Sequence, residues 1–419
     1  MRISTQEFLL GSLPDLLNQQ SNVNQLNREI ATGETLIDPT VDPASAGLSV
    51  QTADAIQHFA YDAGNAQSAG QTIGTTLSAL QQVTGLINQL RQTAVAGANG
   101  ATTGTARQAL AATAESALQQ LVALANTQDA NGSYVFAGSN ATAAPFVTSP
   151  GGQVSFVGDG ATNAIEVAPG LSVPVTVSGQ GIFMNVPAGK DGVAVTANPA
   201  NTGTAFTLAQ GITSLSQLTA ESLAGTEYQI TFSASSGGLA YAVASGSGSP
   251  GTAGFAATSG TIAAGTFTPG TDLEFAGLDI AITGTPAAGD KFVVAPGTGE
   301  SLFQTAQDLI AALAAPSPSQ PANALAQQQI ENVLASLDGA QNSVLSAEAA
   351  LGSTLSQIQA VGAQDQTEGS DAQAQLSSLQ SANLPQVLAN YSAGVTALQA
   401  AELAFGKIQN LTLFSVLHP

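Results

Sequence analysis

The chain has 419 residues, 28 Asp and Glu against 7 Lys and Arg, a net charge of -21 and no cysteine. This excludes disulfides, thiol chemistry and Cys-held metals. It also leaves no basic stripe to replace the counterions of a nucleic acid or to hold an anionic membrane. Only 8% of residues are charged, against about 25% in an ordinary globular domain.

Residues 1–140 read as helical. Leu9, Leu13, Leu16, Val23 and Ile30 stand on a 4-3-4-3 ladder, with Gln20 and Asn27 in its two gaps, the pattern of a coiled-coil seam. Gly33 stops that helix, and Asp38-Pro39 and Asp42-Pro43 prevent its continuation. Two nearby carboxylates could do acid–base work, but here they read as helix-capping turns. A second long helix is expected after Pro43. Leu77, Leu80, Ile87 and Leu90 carry helical spacing, as do Leu118, Leu121, Val122 and Leu124.

The chain changes character in ANTQDANGSYVFAGSN, Ala125 to Asn140. It turns on Asn131-Gly132 and leaves through a predicted aromatic strand, Tyr134-Val135-Phe136. Residues 141–300 then hold 26 of the 44 glycines. Short β-branched or aromatic runs, Ser172–Val177, Tyr228–Phe232, Leu278–Ile282 and Lys291–Ala295, are bounded by Gly or Pro and predict antiparallel strands. After about Thr298 the helical pattern returns. One helix is expected over Ser301–Leu313, a break at Pro316–Pro321, a longer helix through Leu334, Leu337, Val344, Leu351, Leu355 and Ile358, and a last helix. That last helix carries Leu384, Leu388, Tyr391, Val395, Leu398 and Phe405, with Glu402 as the polar member and Pro385 in the first turn.

The implied fold class is α+β: an elongated helical bundle or coiled-coil stem built from both chain ends, with an inserted antiparallel β-rich outer domain. Its divisions are 1–40 with 380–419 as terminal coiled-coil segments, 41–140 with 301–379 as helical stem, and 141–300 as the β-rich insertion, with room for two lobes. The stem faces are Gln, Ser, Thr, Asn and Ala, which pack against neighbours without burying unpaired charge. The terminal helices are expected to order fully only on assembly.

Chemistry-bearing motifs are few. His58 reads as a surface residue and His418 as a solvated terminal one. Gly246 to Gly251 fits a dinucleotide-loop pattern but opens no helix. Gly284 to Lys291 has Asp290 where a phosphate loop needs Lys, and reads as a turn between two strands. Four Asn-x-Ser/Thr sequons, including Asn131-Gly132-Ser133, matter only in a secretory pathway. The start of the sequence has no apolar core of signal-peptide length, so the cytoplasm, or export by a route without a cleavable signal, is expected. No enzyme, cofactor or metal site is expected.

Several motifs, taken in order, resemble the hook–filament junction proteins of the flagellin superfamily. They are Arg2-Ile3-Ser4-Thr5; Leu26 to Gly33 followed by Asp42-Pro43-Ala44; Ala125-Asn126-Thr127 with Asp129, Gly132, Tyr134, Phe136, Gly138 and Pro145-Phe146; Val157-Gly158-Asp159; Gly284-Thr285-Pro286 through Gly289-Asp290; and Asn410 to Phe414 with Leu417. Val41, Glu34, Asn383 and Pro385 depart from the family pattern, and the middle is larger. The resemblance implies a structural adaptor exported through the flagellar type III apparatus and forming a ring or short helical layer in the extracellular flagellum. Implied partners are the other hook-associated junction protein, flagellin and a cytoplasmic export chaperone on the C-terminal helix, with no nucleic acid and no membrane. Subunit contacts would run through Leu9, Leu13, Leu16, Val23, Ile30, Leu384, Leu388, Tyr391, Val395, Leu398, Phe405, Ile408, Leu413 and Phe414. The filament subunit itself, which Ala46-Gly47-Leu48-Ser49 resembles, and a β-rich surface adhesin are the other readings.

Overall fold

The computed structural model describes residues 2–35, 42–99, 102–217, 225–247, 255–297, 299–315 and 319–417. Its helices are α1 (Arg2–Thr32), α2 (Pro43–Ala98), α3 (Gly104–Ala125), α4 (Leu302–Ala314), α5 (Gln320–Gln380) and α6 (Leu384–Leu417). Long helices at both chain ends and an antiparallel β-rich middle are the α+β architecture that the residue patterns imply. Helix ends follow local chemistry. Gly33, at φ +74°, closes α1 with its N–H on Glu29 O at 2.8 Å, a conformation that suits glycine. Asp42 accepts the Ser45 N–H at 3.0 Å and caps α2; hydrogen bonds from the Ser45 side chain and backbone hold its carboxyl below the usual range. Ser301 caps α4 through the Gln304 N–H. Asp38, Pro39 and Pro316 lie outside the described residues.

The chain forms two compact units, Met1–Gly64 with Val361–Pro419, and Asn65–Ala360. In the second unit, α2 buries Ile73, Leu80, Ile87 and Leu90, and α5 buries Ile330, Leu337 and Val344. The buried face of α3 is Ala111, Ala114, Ala117, Leu121 and Ala125. Such small side chains let α4 approach closely. A Cβ at Gly97 would meet Leu313 at 2.2 Å, and Arg107 Nη2 donates to Ala312 O at 2.7 Å near the end of α4. Sparsely charged helices pack here by fit, with an exposed ion pair, Arg91–Asp338. Such a pair contributes little.

The segment Ala125–Asn140 is not the predicted strand. Tyr134 and Ala137 make only isolated bridges, to Gln128 and Ser178, with turns between. Side chains replace the ladder. The Asn126 amide donates to Phe146 O at 2.9 Å and accepts the Phe146 N–H at 3.0 Å, as a neighbouring strand would. Asp129 accepts the N–H groups of Asn131 and Ser133, both at 2.9 Å, and closes the turn at Gly132. Asp159 accepts the Ser139 N–H at 2.7 Å. Gly138, at φ +76°, must be glycine, since a Cβ would lie 2.2 Å from Asp159 Oδ1. These bonds bring together Phe136, Phe146, Phe156, Phe183 and Phe303, whose nearest ring pairs are 5.2–5.9 Å apart.

Strands β1 (Phe146–Thr148) and β2 (Val154–Phe156) pair beside these rings; β3 (Ala164–Ala168) and β4 (Leu171–Pro174) form a second hairpin. The predicted strand over Ser172–Val177 is therefore shorter than its sequence run. A π-helical turn at Gln180–Met184 presents Phe183. Then β5 (Val186–Pro187) pairs with β14 (Gly299–Glu300), Pro187 opposite Gly299. This pair is a neck: everything between leaves and returns at adjacent positions.

Beyond the neck, a five-stranded sheet has the order β10-β9-β8-β13-β6, with β6 at Val193–Ala197, β8 at Glu227–Ser235, β9 at Gly238–Ser247, β10 at Ala256–Thr266 and β13 at Lys291–Pro296. A three-stranded sheet has the order β11-β12-β7, with β7 at Phe206–Ile212, β11 at Leu273–Phe275 and β12 at Leu278–Thr283. All pairings are antiparallel. One core joins both sheets through Tyr228, Ile230, Phe232, Phe292, Leu278 and Ile280. Gly284 to Asp290 forms the expected turn. Buried Asp290 accepts the N–H groups of Thr202 and Ala287, each at 2.8 Å. The pairing of β10 with β9 shifts register at Ala257/Thr261 and at Thr261/Ala263.

Helix α5 closes one edge of each sheet. Its residues Gln328, Asn332 and Ser336 lie four apart, on one helical stripe. The buried Gln328 amide accepts the Thr207 N–H and donates to Thr207 O, both at 2.6 Å, on edge strand β7. Asn332 donates to Val195 O on edge strand β6, and Ser336 accepts the Gly189 N–H at 2.8 Å.

Gln328→Leu should orphan both Thr207 backbone groups and cost about 1–3 kcal/mol for each. A lowered melting temperature with unchanged helix content checks this. Removing 190–296 across the neck, with a short Gly-Ser join, should leave the helices folded by circular dichroism. A cut including 156–183 should not, because it strips Phe156 and Phe183 from the ring cluster.

Candidate functional site: the paired terminal helices

In the unit holding both chain ends, α1 and α6 pack together. The end of α1 meets the start of α6 through a short backbone clamp. Thr35 N–H donates to Gln380 O at 2.7 Å, Ala382 N–H donates to Gly33 O at 2.9 Å, and Glu34 bridges Ser381. Farther along, a Cβ on Gly394 would sit 3.1 Å from Val23 Cγ2. The pair therefore runs antiparallel, with glycine at a close approach.

Leu16, Val23 and Ile30 on α1, and Tyr391, Val395, Leu398 and Phe405 on α6, are half-buried, as the ladders require. Three ladder members are not in this seam. Leu13 is 47% exposed, Leu384 46% and Leu388 58%. Leu384 is the first residue of α6, and for Leu388 the reason is rotational. The covered stripe on α6 runs through Val387, Tyr391, Gly394, Leu398, Ala401 and Phe405. Each helical residue turns the chain by about 100°, so Leu388 points away where Val387 points in. Sequence spacing alone did not single out Val387, nor Leu17 and Leu403, which are also exposed. The stretch Leu384 to Ala401 has no charged residue. Its outer face can therefore be covered without stranding a charge. The side chains of Leu9, Ile408, Leu413 and Phe414 lie outside the described residues.

Glu29 sits in this pair, 7% exposed, and accepts from Gln25 Nε2 at 3.2 Å. Nothing in its spacing marks it as buried. His58 is exposed on α2, and His418 is outside the described residues. Among the described residues no group of three or more His, Cys, Asp or Glu could hold a metal, and no helix is long and apolar enough to cross a membrane.

The second unit has a cleft of about 570 Å³ between α4, α5 and strands β6 and β13. Glu300 and Asp308 line it, and burial pushes both carboxyls up. Thr305 Oγ1 donates to Glu300 at 2.7 Å and Gln304 Nε2 donates to Asp308 at 2.8 Å. These carboxylates are occupied in holding the first turns of α4. The arrangement offers paired helices with exposed leucines, which suits protein–protein contact.

The bacterial flagellin N-terminal helical region matches residues 3–141. Flagellar hook-associated protein 3 of Salmonella typhimurium is 33% identical over 152 residues, 36% of this chain and 48% of that protein. Its Escherichia coli counterpart is 29% identical over 187 residues, 44% of this chain and 58% of that protein. The matched part thus spans about half the length of these curated relatives. The crystal structure of flagellar hook associated protein-3 from Legionella pneumophila superposes with a TM-score of 0.69 at 28% identity, over 80% of this chain and 98% of that one. FlgL of Xanthomonas campestris gives 0.66 at 27% identity, over 78% of this chain and 99% of that one. By sequence over its N-terminal third and by fold along about four fifths of its length, the chain is similar to flagellar hook-associated protein 3.

Proposed function

We propose that the chain is a structural subunit of the bacterial flagellum, an adaptor between hook and filament that assembles through α1 and α6 into a ring or short helical layer. The observation that carries this is the outer face of the α1–α6 pair. Five leucines of the two helices, Leu13, Leu17, Leu384, Leu388 and Leu403, are exposed in a single chain, and neighbouring subunits would cover them. The likeness to junction proteins supports the same reading; one solved relative is titled the flagellar junction protein FlgL. The further contacts proposed are the other hook-associated junction protein on one side, flagellin on the other, and an export chaperone on α6 before assembly. The role needs no catalysis, and the chain would leave the cell unfolded by the flagellar export route.

Immunogold electron microscopy with antibody against 141–300 tests the location. Label in a narrow band where hook meets filament supports the adaptor; label along the whole filament makes this a filament subunit.

Two neighbouring substitutions separate assembly from folding. Leu388→Asp should change the stability of the free chain by about 0.5 kcal/mol or less while abolishing swimming. Val387→Asp buries a charge in the seam and should destabilise the terminal unit by several kcal/mol. Normal swimming by Leu388→Asp would sink the assembly reading. In the free chain, amides of 2–35 and 385–417 should exchange faster than in assembled flagella; equal protection in both states would refute ordering on assembly.

A further inference from the structure

In the terminal unit α2 and α5 pack side by side. A Cβ at Gly369 would lie 3.5 Å from Phe59 Cβ, ordinary contact. One turn earlier on α5 is Asp365. It is 6% exposed, and its Oδ2 is buried with no protein donor in reach. The charged groups that act on it are both acidic, Asp62 from α2 and Glu368 from α5 itself. Burial first, then Asp62 and Glu368, hold its carboxyl above the ordinary carboxylate range.

A desolvated, unpaired carboxylate between helices is costly. A cation, a donor or a proton can relieve it. No metal-holding cluster exists among the described residues, and no lysine or arginine there forms an ion pair with Asp365. We infer that Asp365 is a proton-operated latch on the α2–α5 pair of this unit. Protonated, it is a neutral group packed between the helices. Ionised, it pushes against Asp62 and Glu368, leaves a desolvated oxygen, and the pair loosens. The sign follows from linkage. A raised folded-state value means that the stabilisation is complete below the ordinary carboxylate range and is lost as pH rises through the folded value. The latch does not depend on the assembly reading.

Hydrogen exchange of the full chain, read by mass spectrometry as protection factors with intrinsic rates divided out, tests it at about pH 3.5 and about pH 8. Peptides over 55–64 and 361–372 should be several-fold more protected at the lower pH. Asp365→Asn should be well protected at both, above wild type at the higher pH. Asp62→Asn should shrink the wild-type difference. Equal wild-type protection at the two pH values, or an unchanged pH dependence in Asp365→Asn, overturns the latch. If Asp365→Asn fails to fold, an undiminished difference in Asp62→Asn overturns it instead.

Discussion

The rings of Phe136, Phe146, Phe156, Phe183 and Phe303 are the meeting point of helix and sheet. Each comes from a different local structure: a turn after α3, two strands, a π-helical turn and the first turn of α4. None of these pieces is regular or long enough to be stable alone. Burying the rings together supplies the apolar area that the thin alanine face of α3 lacks. The Asn126 clamp on Phe146 and the Asp159 turn beside Gly138 then fix the angle at which each backbone arrives. Chain direction into and out of the β region follows from this cluster.

Much of that was readable in advance, for physical reasons. Helices announced themselves because Gly33, Asp42, Ser301 and Pro385 are strong stop and start signals. Strands β8, β12 and β13 were legible because β-branched residues alternate between turn glycines. Tyr134-Val135-Phe136 misled, because the same composition that favours a strand also suits a buried aromatic turn held by side chains. Asn126, Asp129 and Asp159 make those bonds across the chain, and spacing does not reveal their partners. The polar stripe Gln328, Asn332 and Ser336 was equally silent. In sequence it looks like one more neutral helix face, yet it covers one edge of each sheet.

The same limit applies to the candidate site. A ladder of apolar residues says that a helix has a sticky side, and two half-turns of ambiguity remain about where that side points. On α6 the covered stripe runs through Val387 and Tyr391, while Leu388 stands out from it and Leu384, at the helix start, is left uncovered. What reads as one seam is two adjoining faces, one satisfied within the chain and one open. The few charges sharpen this division. A buried carboxylate such as Asp365 bears on how tightly the helices of its unit close.

The register shifts in β10 bear on solubility. From Tyr228 to Thr271 the sequence has no charged residue, and β10 is the open edge of the larger sheet. Natural sheets commonly guard such an edge with lysine or proline. Here the guard is irregularity: at two places the strand slips against β9, so its outer backbone groups do not present an even row. Straightening this strand would convert a silent border into a template for fibres, even though no contact inside the fold would be lost.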